Sequence, residues 1–436
     1  MKNQRNPFDK QVTLGYNYKE QKVFIGAKPL HWSDLHKEST VVDLHNHAVL
    51  KRFLLDRNLS TSKVKFLAGL FKRSFWPLSQ RSTFPLIEKG GIDILLSTCY
   101  IPEREWLEDQ SLVKWALRFA PKVRKRVFDP FYFDATVNMI DDMEKHVTEY
   151  NASTKAKPIC IVRDNSDLSQ CLDSNHIALI HSIEGAHSLQ GLDCETSTDM
   201  KVKETEVLQH LDYFADRGVA YLTLAHFYPN LVAHPVFPYP NYGIKRSNWK
   251  YLMGAWDMNV GLSPIGKKVV ERMCELKMII DIAHCTPKAR SEVYEIVGDR
   301  QNRVISSHGG VFEINPDPYN LHDWELKWFA NHGGVLGIIF MNYWISPVDS
   351  PLGIKYIERT LEHAMRIGGS DIIGIGTDFD GFTDPPDEIT DMSELPRITK
   401  YIKCLTSEGG KQKYSDEIIS KFLGGNALRV LREGWR

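Results

Sequence analysis

The sequence lacks the features that would indicate a nucleic-acid partner, a membrane or a secretory route. Lysine and arginine total 54 against 55 aspartates and glutamates, so no basic surface for nucleic acid is expected. No apolar run approaches the roughly 18 residues of a membrane span, and the first and last residues show no signal-like or anchor-like segment. We therefore expect a cytoplasmic protein without an integral membrane segment.

Cysteine patterns and repeats are missing as well. The seven cysteines are odd in number and show no C-x-x-C spacing, which indicates reduced thiols rather than a disulfide framework. There is no internal repeat or low-complexity tract. The 436 residues exceed the usual domain size, but α/β barrels with insertions reach such lengths as one domain.

Eight apolar runs are candidates for β-strands, and most are followed by a helix-compatible segment. Near-continuous apolar runs are typical of parallel strands that are buried on both faces. The runs are Val41–His47, Gly90–Ile101, Ala178–Glu184, Gly218–His226, Met278–His284, Val304–His308, Gly333–Asn342 and Ile372–Gly381. Between them, Ser263 and Pro264 predict the start of a helix over Gly266–Leu276, and Pro351–Ile367 has helical apolar spacing. The pattern predicts a (β/α)8 TIM-like barrel.

Three stretches do not follow the repeat. Residues 1–40 are predicted to be a short N-terminal extension, in which Lys22–Ile25 resembles a strand, and residues 41–436 the barrel. Residues 48–88 are basic and aromatic, and an apolar stripe within Lys63–Leu78 predicts a helix packed over the barrel mouth. An active-site lid or a membrane-surface helix is the alternative. Residues 227–262 form a loop rich in proline and tyrosine that is expected to line the pocket.

Metal-ligand side chains stand at the ends of four of the apolar runs. They are His45, His47, Glu184, His284 and His308. Alternate residues of a strand point to the same face, so His45 and His47 point the same way. In a barrel the strand ends meet at one face, where active sites lie. Imidazole nitrogen and carboxylate oxygen suit zinc, and a carboxylate can bridge two cations. The sequence therefore predicts a site for two divalent metal ions, with zinc expected.

Two further side chains complete a hydrolytic site. Asp378 ends the last strand candidate, where a carboxylate can move a proton from water to a leaving group, and Asp380 on the same face is the alternative. His226 is placed to donate to a developing oxyanion. Each residue alone has an ordinary reading as a core histidine, a helix cap or a turn residue. Their joint occurrence favours a metal site.

The residues also carry a resemblance to the membrane (renal) dipeptidase family of the amidohydrolase superfamily. The matching stretches are DLHNH, IEGAHS, YLTLAH, GLSPIGKKVV, IDIAH, SSHGG, GIGTDFDG and GGNALRVL, in the family's order from about Val41 to Leu431. The resemblance implies a TIM-like barrel with two zinc ions. It implies that His45 and His47 hold one metal, that His284 and His308 hold the other, and that Glu184 bridges them. His226 would polarise the substrate, and Asp378 would be the acid/base.

The sequence departs from that family at two places. His47 stands where the family usually has aspartate, which keeps a ligand but removes a negative charge. The arginine that clamps the substrate carboxylate just before Asn320 is missing, and Tyr319 stands there instead. Tyr319 and Asn320 are expected to contact the substrate. The segment 309–326 has no lysine or arginine, so we expect uncharged analogues to be hydrolysed at least as well as free dipeptides.

The sequence thus predicts a binuclear metal-dependent hydrolase of a peptide or amide bond. Its partner would be a small-molecule substrate, such as a dipeptide or an amide, and homo-oligomerisation stays open. One alternative is an amidohydrolase of a lactone, an N-acyl amino acid or a cyclic amide. The other is a barrel that binds a metal or ligand without catalysis. His187 is a candidate neighbour of the metal ligands, whereas His181 and His234 are expected to be structural.

Overall fold

The structure of the protein is a computed structural model. It describes residues 29–61, 80–109, 119–153, 156–236, 257–300, 303–346 and 353–436. These residues form a single sheet of nine strands, in which every pair of neighbours is parallel. The strands are β1 Val42–Asn46, β2 Ile94–Cys99, β3 Ile159–Val162, β4 Ile177–Glu184, β5 Tyr221–Thr223, β6 Ile279–Asp281, β7 Val304–Gly309, β8 Val335–Ile339 and β9 Ile373–Gly376.

Eight of the strands close into a barrel. β1 pairs with β2 on one side and with β9 on the other. β2 also pairs with β4, from Ile94 beside Ala178 to Cys99 beside Ile183, and β4 to β9 follow in chain order around the ring. β3 lies outside this ring and pairs with the first half of β4. The predicted (β/α)8 barrel is therefore confirmed.

Helices surround the barrel and connect its strands. They are α1 Trp32–Glu38, α2 Ala48–Leu55, α3 Phe84–Lys89, α4 Arg104–Asp109, α5 Pro121–Phe128, α6 Tyr132–Ser153, α7 Asn165–Asp173, α8 Leu192–Thr196, α9 Met200–Asp216, α10 Pro264–Leu276, α11 Pro287–Val297, α12 Asp323–His332, α13 Asn342–Ile345, α14 Ile354–Gly368, α15 Pro396–Cys404, α16 Asp416–Ser420 and α17 Asn426–Gly434. Short 3₁₀ segments cover Ala186–Leu189, Ser370–Ile372 and Met392–Glu394, and a π-helical turn joins α16 to α17.

Alternating side chains of the strands divide the apolar core in two. One set includes Val42 and Leu44 of β1 and packs with Val430 and Leu431 of α17. The other set, which includes Leu95 of β2, packs against the helices around the barrel. Because the first set belongs mainly to the N-terminal halves of the strands, the opposite, C-terminal ends are left for polar side chains.

The eight predicted strand runs each overlap a barrel strand, and six of them are longer than the strand itself. β5 and β6 have three residues each, so His226 and His284 lie in the loops that follow them. β3 was not predicted. The predicted helix after Ser263 is confirmed as α10, and the Ser263 hydroxyl accepts a hydrogen bond from the Gly266 N–H at 2.9 Å. The apolar spacing of 351–367 corresponds to α14.

Other predictions fall partly or wholly on residues outside the described ranges. The strand-like Lys22–Ile25, the stripe of Lys63–Leu78 and residues 237–256 of the pocket loop are among them. Residues 32–38 of the expected extension form α1, which packs against α15. Among the helices of the described residues, none combines the length and the apolar character that a membrane span requires.

Candidate metal and hydrolytic site

The Glu184 carboxylate is the centre of the site. Glu184 is the last residue of β4 and is 2% exposed. Its Oε1 atom lies 3.1 Å from Nε2 of His284 and 3.4 Å from Nε2 of both His45 and His308. Its Oε2 atom lies 3.2 Å from Nε2 of His47 and 3.5 Å from Nε2 of His226. The carboxylate is thus surrounded by five imidazole rings.

Four of these rings form two pairs, as expected from the sequence. The Nε2 atoms of His45 and His47 are 3.0 Å apart, and those of His284 and His308 are also 3.0 Å apart. His45 belongs to β1, and His47 follows it directly. His308 belongs to β7, and His284 lies three residues after β6. All five predicted ligands are therefore brought together at the C-terminal ends of the strands.

The opposite nitrogens of two rings show which tautomer these rings adopt. The Ser307 hydroxyl donates to the Asp281 carboxylate at 2.6 Å and lies 3.0 Å from Nδ1 of His45 and 2.9 Å from Nδ1 of His308. A hydroxyl has one hydrogen, so it accepts from both Nδ1 atoms. The Tyr221 hydroxyl donates to the carbonyl of Leu44 and, at 2.9 Å from Nδ1 of His45, accepts there too. The Nε2 lone pairs of His45 and His308 are therefore directed at the Glu184 oxygens.

An imidazole lone pair and a carboxylate oxygen that face each other repel unless a cation lies between them. Neutral imidazoles oriented through a hydrogen bond from Nδ1 are the usual form of histidine ligands. Among the described residues, buried groupings with ligand spacing include His45, His47 and Asp378 on one side and Glu184, His284 and His308 on the other. The donor set therefore fits two divalent cations with a carboxylate between them.

The site is electrostatically unusual. Burial raises the pKa of Glu184, but His226 and His45 outweigh it and hold this pKa well below its ordinary value. Burial and the charge of His226 lower the pKa of His284 to about 4. Burial and His45 likewise hold the pKa of His308 well below its ordinary value. Glu184 is thus ionised beside His284 and His308 as neutral imidazoles, which is the protonation state that binds metal. Burial lowers the pKa of His47, but Asp378 and Glu184 outweigh it and raise this pKa to about 10, so the ring releases a proton when a metal binds.

Asp378 lies beside the first histidine pair. Its Oδ1 atom is 3.3 Å from Nε2 of His47 and 3.9 Å from Nε2 of His45. Burial raises the pKa of Asp378. Asp380, the alternative from the sequence, is paired with the ammonium group of Lys51 at 2.8 Å and accepts from the N–H groups of Arg81 and Ser82. Its oxygens are occupied, so Asp378 is the better placed of the two for proton transfer.

His226 faces the site from the loop after β5 and is held at its other nitrogen. Its Nδ1 atom lies 3.1 Å from Oε1 of Glu103. Burial raises the pKa of Glu103, but the charges of His226 and His187 outweigh it and hold this pKa well below its ordinary value. Glu103 was not singled out from the sequence. It follows a strand candidate that ends at Ile101, so the strand-end rule that found the other residues could have found it.

Aromatic side chains form one wall of the site. The Tyr319 hydroxyl lies 3.3 Å from Nε2 of His284 and donates to the His308 carbonyl at 3.3 Å. The rings of Tyr319 and Trp344 have centroids 3.8 Å apart. The Asn320 amide donates to the carbonyls of Asn315 and Trp344, at 2.9 and 2.8 Å, so its donors hold this loop.

The remaining histidines from the sequence analysis have local partners. His187 Nε2 lies 2.8 Å from the carbonyl of Ile101, and its ring packs against Tyr132. His181 pairs with Glu144 at 3.5 Å, and Nδ1 of His234 lies 3.3 Å from the carbonyl of Pro235. Asp281 and Ser307 were not predicted, although both stand in the runs that carry His284 and His308. Polar residues inside an apolar run were the available signal.

The sequence of the whole described barrel matches one family. The model of "Membrane dipeptidase (Peptidase family M19)" matches residues 31–434. The chain belongs to the membrane dipeptidase family. Membership in this metallopeptidase family implies the use of a divalent metal.

Individual relatives are similar to this chain in sequence over part of their length. An uncharacterised Klebsiella pneumoniae protein in the pqqA 5′ region is 31% identical over 186 residues, which are 42% of this chain and 65% of that protein. Human Dipeptidase 3 is 26% identical over 263 residues, or 60% of this chain and 49% of that protein. The chain thus spans about half to two thirds of the length of these curated relatives.

A solved structure shows the same fold. It is a metallo peptidase from Rhodobacter sphaeroides, liganded with a phosphinate mimic of the dipeptide L-Ala-D-Ala. The two structures superpose with a TM-score of 0.65 at 18% identity, over 91% of this chain and 99% of that chain. At this identity the likeness supports the barrel fold.

Proposed function

We propose that this protein is a binuclear metal-dependent hydrolase that cleaves a peptide or peptide-like amide bond. The observation that carries the proposal is the Glu184 carboxylate, which lies between two histidine pairs at 3.1 to 3.4 Å. His45 and His47 would hold one ion and His284 and His308 the other, with Glu184 bridging. When bound, divalent ions in such a site acidify water and polarise a carbonyl.

The protein's own residues would move the proton and stabilise the developing charge. The Asp378 carboxylate lies at the edge of the first pair, and burial raises its pKa, which makes it a stronger proton acceptor than an exposed aspartate. Asp378 would accept a proton from the attacking water and pass it to the departing amine. His226 Nε2 points towards Glu184. Burial lowers the pKa of His226, but Glu184 and Glu103 outweigh it and raise this pKa, so the ring would carry a second hydrogen at Nε2 and donate it to the oxygen of the scissile carbonyl. Tyr319 and Trp344 would exclude water on the opposite side.

Several finer assignments belong to this proposal. Zinc is the metal we propose, because imidazole nitrogen with one carboxylate suits it better than magnesium or calcium. A cytoplasmic location is supported by the cysteines, all seven of which are free thiols. The boundary at residue 40 and a homo-oligomeric state stay predictions.

The direct test is a hydrolysis screen of metal-loaded protein. Dipeptides, N-acyl amino acids and lactones are offered to protein loaded with zinc, with chelator-treated protein as the control. We expect turnover of at least one dipeptide or dipeptide amide, and loss of turnover after chelation. If the loaded protein binds metal but turns over none of these compounds, the protein is a binding barrel and the proposal is wrong.

A second candidate is an amidohydrolase whose substrate has no free carboxylate in the part that would contact Tyr319, where the family has its clamping arginine. Tyr319 is neutral, and the nearby guanidinium of Arg290 is fully used. Its five N–H donors bind both oxygens of Glu325 and the carbonyls of Cys285, Pro318 and Asn320, at 2.7 to 3.4 Å. A buried carboxylate without a cation loses hydration that nothing replaces.

This candidate is tested by comparing a dipeptide with its C-terminal amide. We expect kcat/KM for the amide to equal or exceed that for the free acid under identical metal loading. Tyr319→Arg is expected to shift the preference towards the free acid, whereas Tyr319→Phe is the control of similar shape without a cation. A wild-type preference for the free acid of about tenfold, or ~1.4 kcal/mol, would contradict the idea. Lys245, Arg246 or Lys327 would then be the candidates for the cation that replaces the missing arginine.

A further inference from the structure

Glu103 is a buried carboxylate outside the proposed ligand set. It lies in the segment after β2 and is 2% exposed. Its Oε1 atom lies 3.1 Å from Nδ1 of His226 and accepts from the N–H of Phe227 at 2.8 Å. Its Oε2 atom accepts from the Tyr100 hydroxyl at 2.6 Å. Three donors therefore converge on one carboxylate, and two of them come from consecutive residues after β5.

These contacts cross the end of β4. β2 and β5 do not pair with each other, because β4 lies between them and carries Glu184 at its end. Glu103 thus connects the loops after β2 and β5 over the centre of the site. The His226 ring is also packed against Tyr100, with centroids 4.2 Å apart, and stacked on Phe227 at 3.8 Å. Packing and hydrogen bonding together leave this ring a single orientation.

The hydrogen bond also decides which nitrogen faces the site. An ionised carboxylate only accepts, so Nδ1 of His226 carries the hydrogen that points at Glu103. Nε2 is then the nitrogen that faces Glu184, 3.5 Å from Oε2. A ring released from Glu103 could rotate and withdraw Nε2 from the place where it meets a substrate. Histidines in active sites are commonly held in this way by a carboxylate.

We infer that Glu103 is a positioning residue that acts through His226, by fixing the ring so that Nε2 meets the scissile carbonyl. The inference rests on the proposed function, since it assigns His226 to the substrate. A carboxylate that only stabilised the loop would act independently of His226. The two possibilities differ in how the effects of two mutations combine.

A double-mutant cycle separates them. We expect Glu103→Gln to lower kcat for the best dipeptide or dipeptide amide by about tenfold, with KM changed less than about twofold, because charge-assisted bonds become neutral ones. In the His226→Ala background the same change is expected to have almost no further effect. Glu103→Asp, which keeps the charge, is expected to recover part of the loss. Equal losses in both backgrounds would overturn the inference.

A binding readout keeps the test independent of turnover. The wild type, Glu103→Gln, His226→Ala and the double variant are titrated with a phosphinate dipeptide mimic. We expect Glu103→Gln to weaken binding only when His226 is present. Metal content and thermal midpoint are measured in parallel, and unchanged metal content is expected. Glu105→Gln is the matched control, because Glu105 is exposed and, within the described ranges, its side chain accepts one hydrogen bond, a long one of 3.5 Å from the Tyr132 hydroxyl. It should change neither kinetics nor binding.

The outcomes also separate this inference from the proposed function. A wild type that turns over substrate while the cycle is additive overturns the role of Glu103 alone. A wild type that neither hydrolyses these compounds nor binds the mimic overturns the proposed function, and the inference with it.

Discussion

At the residue scale, two side chains of the site stand on backbone that most residues avoid. His284 has φ of 63° and Asp378 has φ of 55°, both in the left-handed region. Such conformations in residues other than glycine cost free energy and collect at functional sites, where the surrounding structure enforces them. A neighbour is adapted to this, because a Cβ atom on Gly381 would lie 2.2 Å from Oδ1 of Asp378.

Asp378→Asn tests whether this residue moves a proton or holds metal. The amide is nearly isosteric, and it cannot accept and return a proton. We expect metal content and thermal midpoint to be retained while kcat falls by about two to four orders of magnitude. Because Asp378 also has ligand spacing to His45 and His47, loss of one metal ion in the variant would make it a ligand and contradict the acid/base role.

The residues that the structure brings together in the candidate site could be predicted from the sequence, but their supporting contacts could not. His45, His47, Glu184, His284 and His308 end apolar runs, which is a local pattern. Glu103 meets His226 across 123 positions of the chain, and this contact depends on the closure of the barrel. The hydroxyl of Ser307 likewise has meaning only once Asp281 and the two imidazoles are placed around it.

At the scale of elements, the strand ends were the weakest part of the prediction. β5 and β6 leave the ladder after three residues, although the apolar runs that contain them continue to His226 and His284. The residues between each strand and its histidine stay apolar because these loops are buried: Leu224, Ala225, Ile282 and Ala283 are at most 3% exposed. β3 was missed because it has four residues and lies outside the ring, where its partly exposed face does not require a long apolar run.

A buried ion pair connects two helices to the aromatic wall. Arg290 of α11 and Glu325 of α12 are 1% and 0% exposed at their side chains, with Nε and Oε1 2.7 Å apart. Arg290 also donates to the carbonyls of Pro318 and Asn320, on both sides of Tyr319. The pair therefore fixes the segment that presents Tyr319 to the site.

Arg290→Met is expected to lower the free energy of unfolding by about 3–5 kcal/mol, because it leaves the charge of Glu325 buried and unpaired. The double variant Arg290→Met with Glu325→Leu removes both charges and is expected to recover much of this loss. Urea titration of the three proteins measures it. A single variant as stable as the wild type would show that the pair does not stabilise the fold, and Arg303→Met, at a partly exposed pair with Glu433, is the control.

At the scale of the whole molecule, the residues that stabilise the barrel and the residues of the candidate site lie at opposite ends of the strands. The N-terminal halves of the strands pack with α17 in an apolar core, whereas the C-terminal ends carry the imidazoles and carboxylates. This arrangement is common to barrels of this kind and explains why the fold could be predicted from apolar runs alone. Which substrate is taken depends on the loops, and residues 237–256 of the long loop after β5 lie outside the described ranges.

The metal content of the purified protein tests the central claim most directly. Protein produced in zinc-sufficient medium is measured by elemental analysis beside Glu184→Ala and His363→Ala. His363 belongs to a partly exposed grouping with Glu313 and Asp323 that also has ligand spacing, so its variant controls for metal held at the surface. We expect about two divalent ions per chain in the wild type and in His363→Ala, and loss of most metal in Glu184→Ala. A wild type without metal, or a Glu184→Ala variant that retains both ions, would contradict the account.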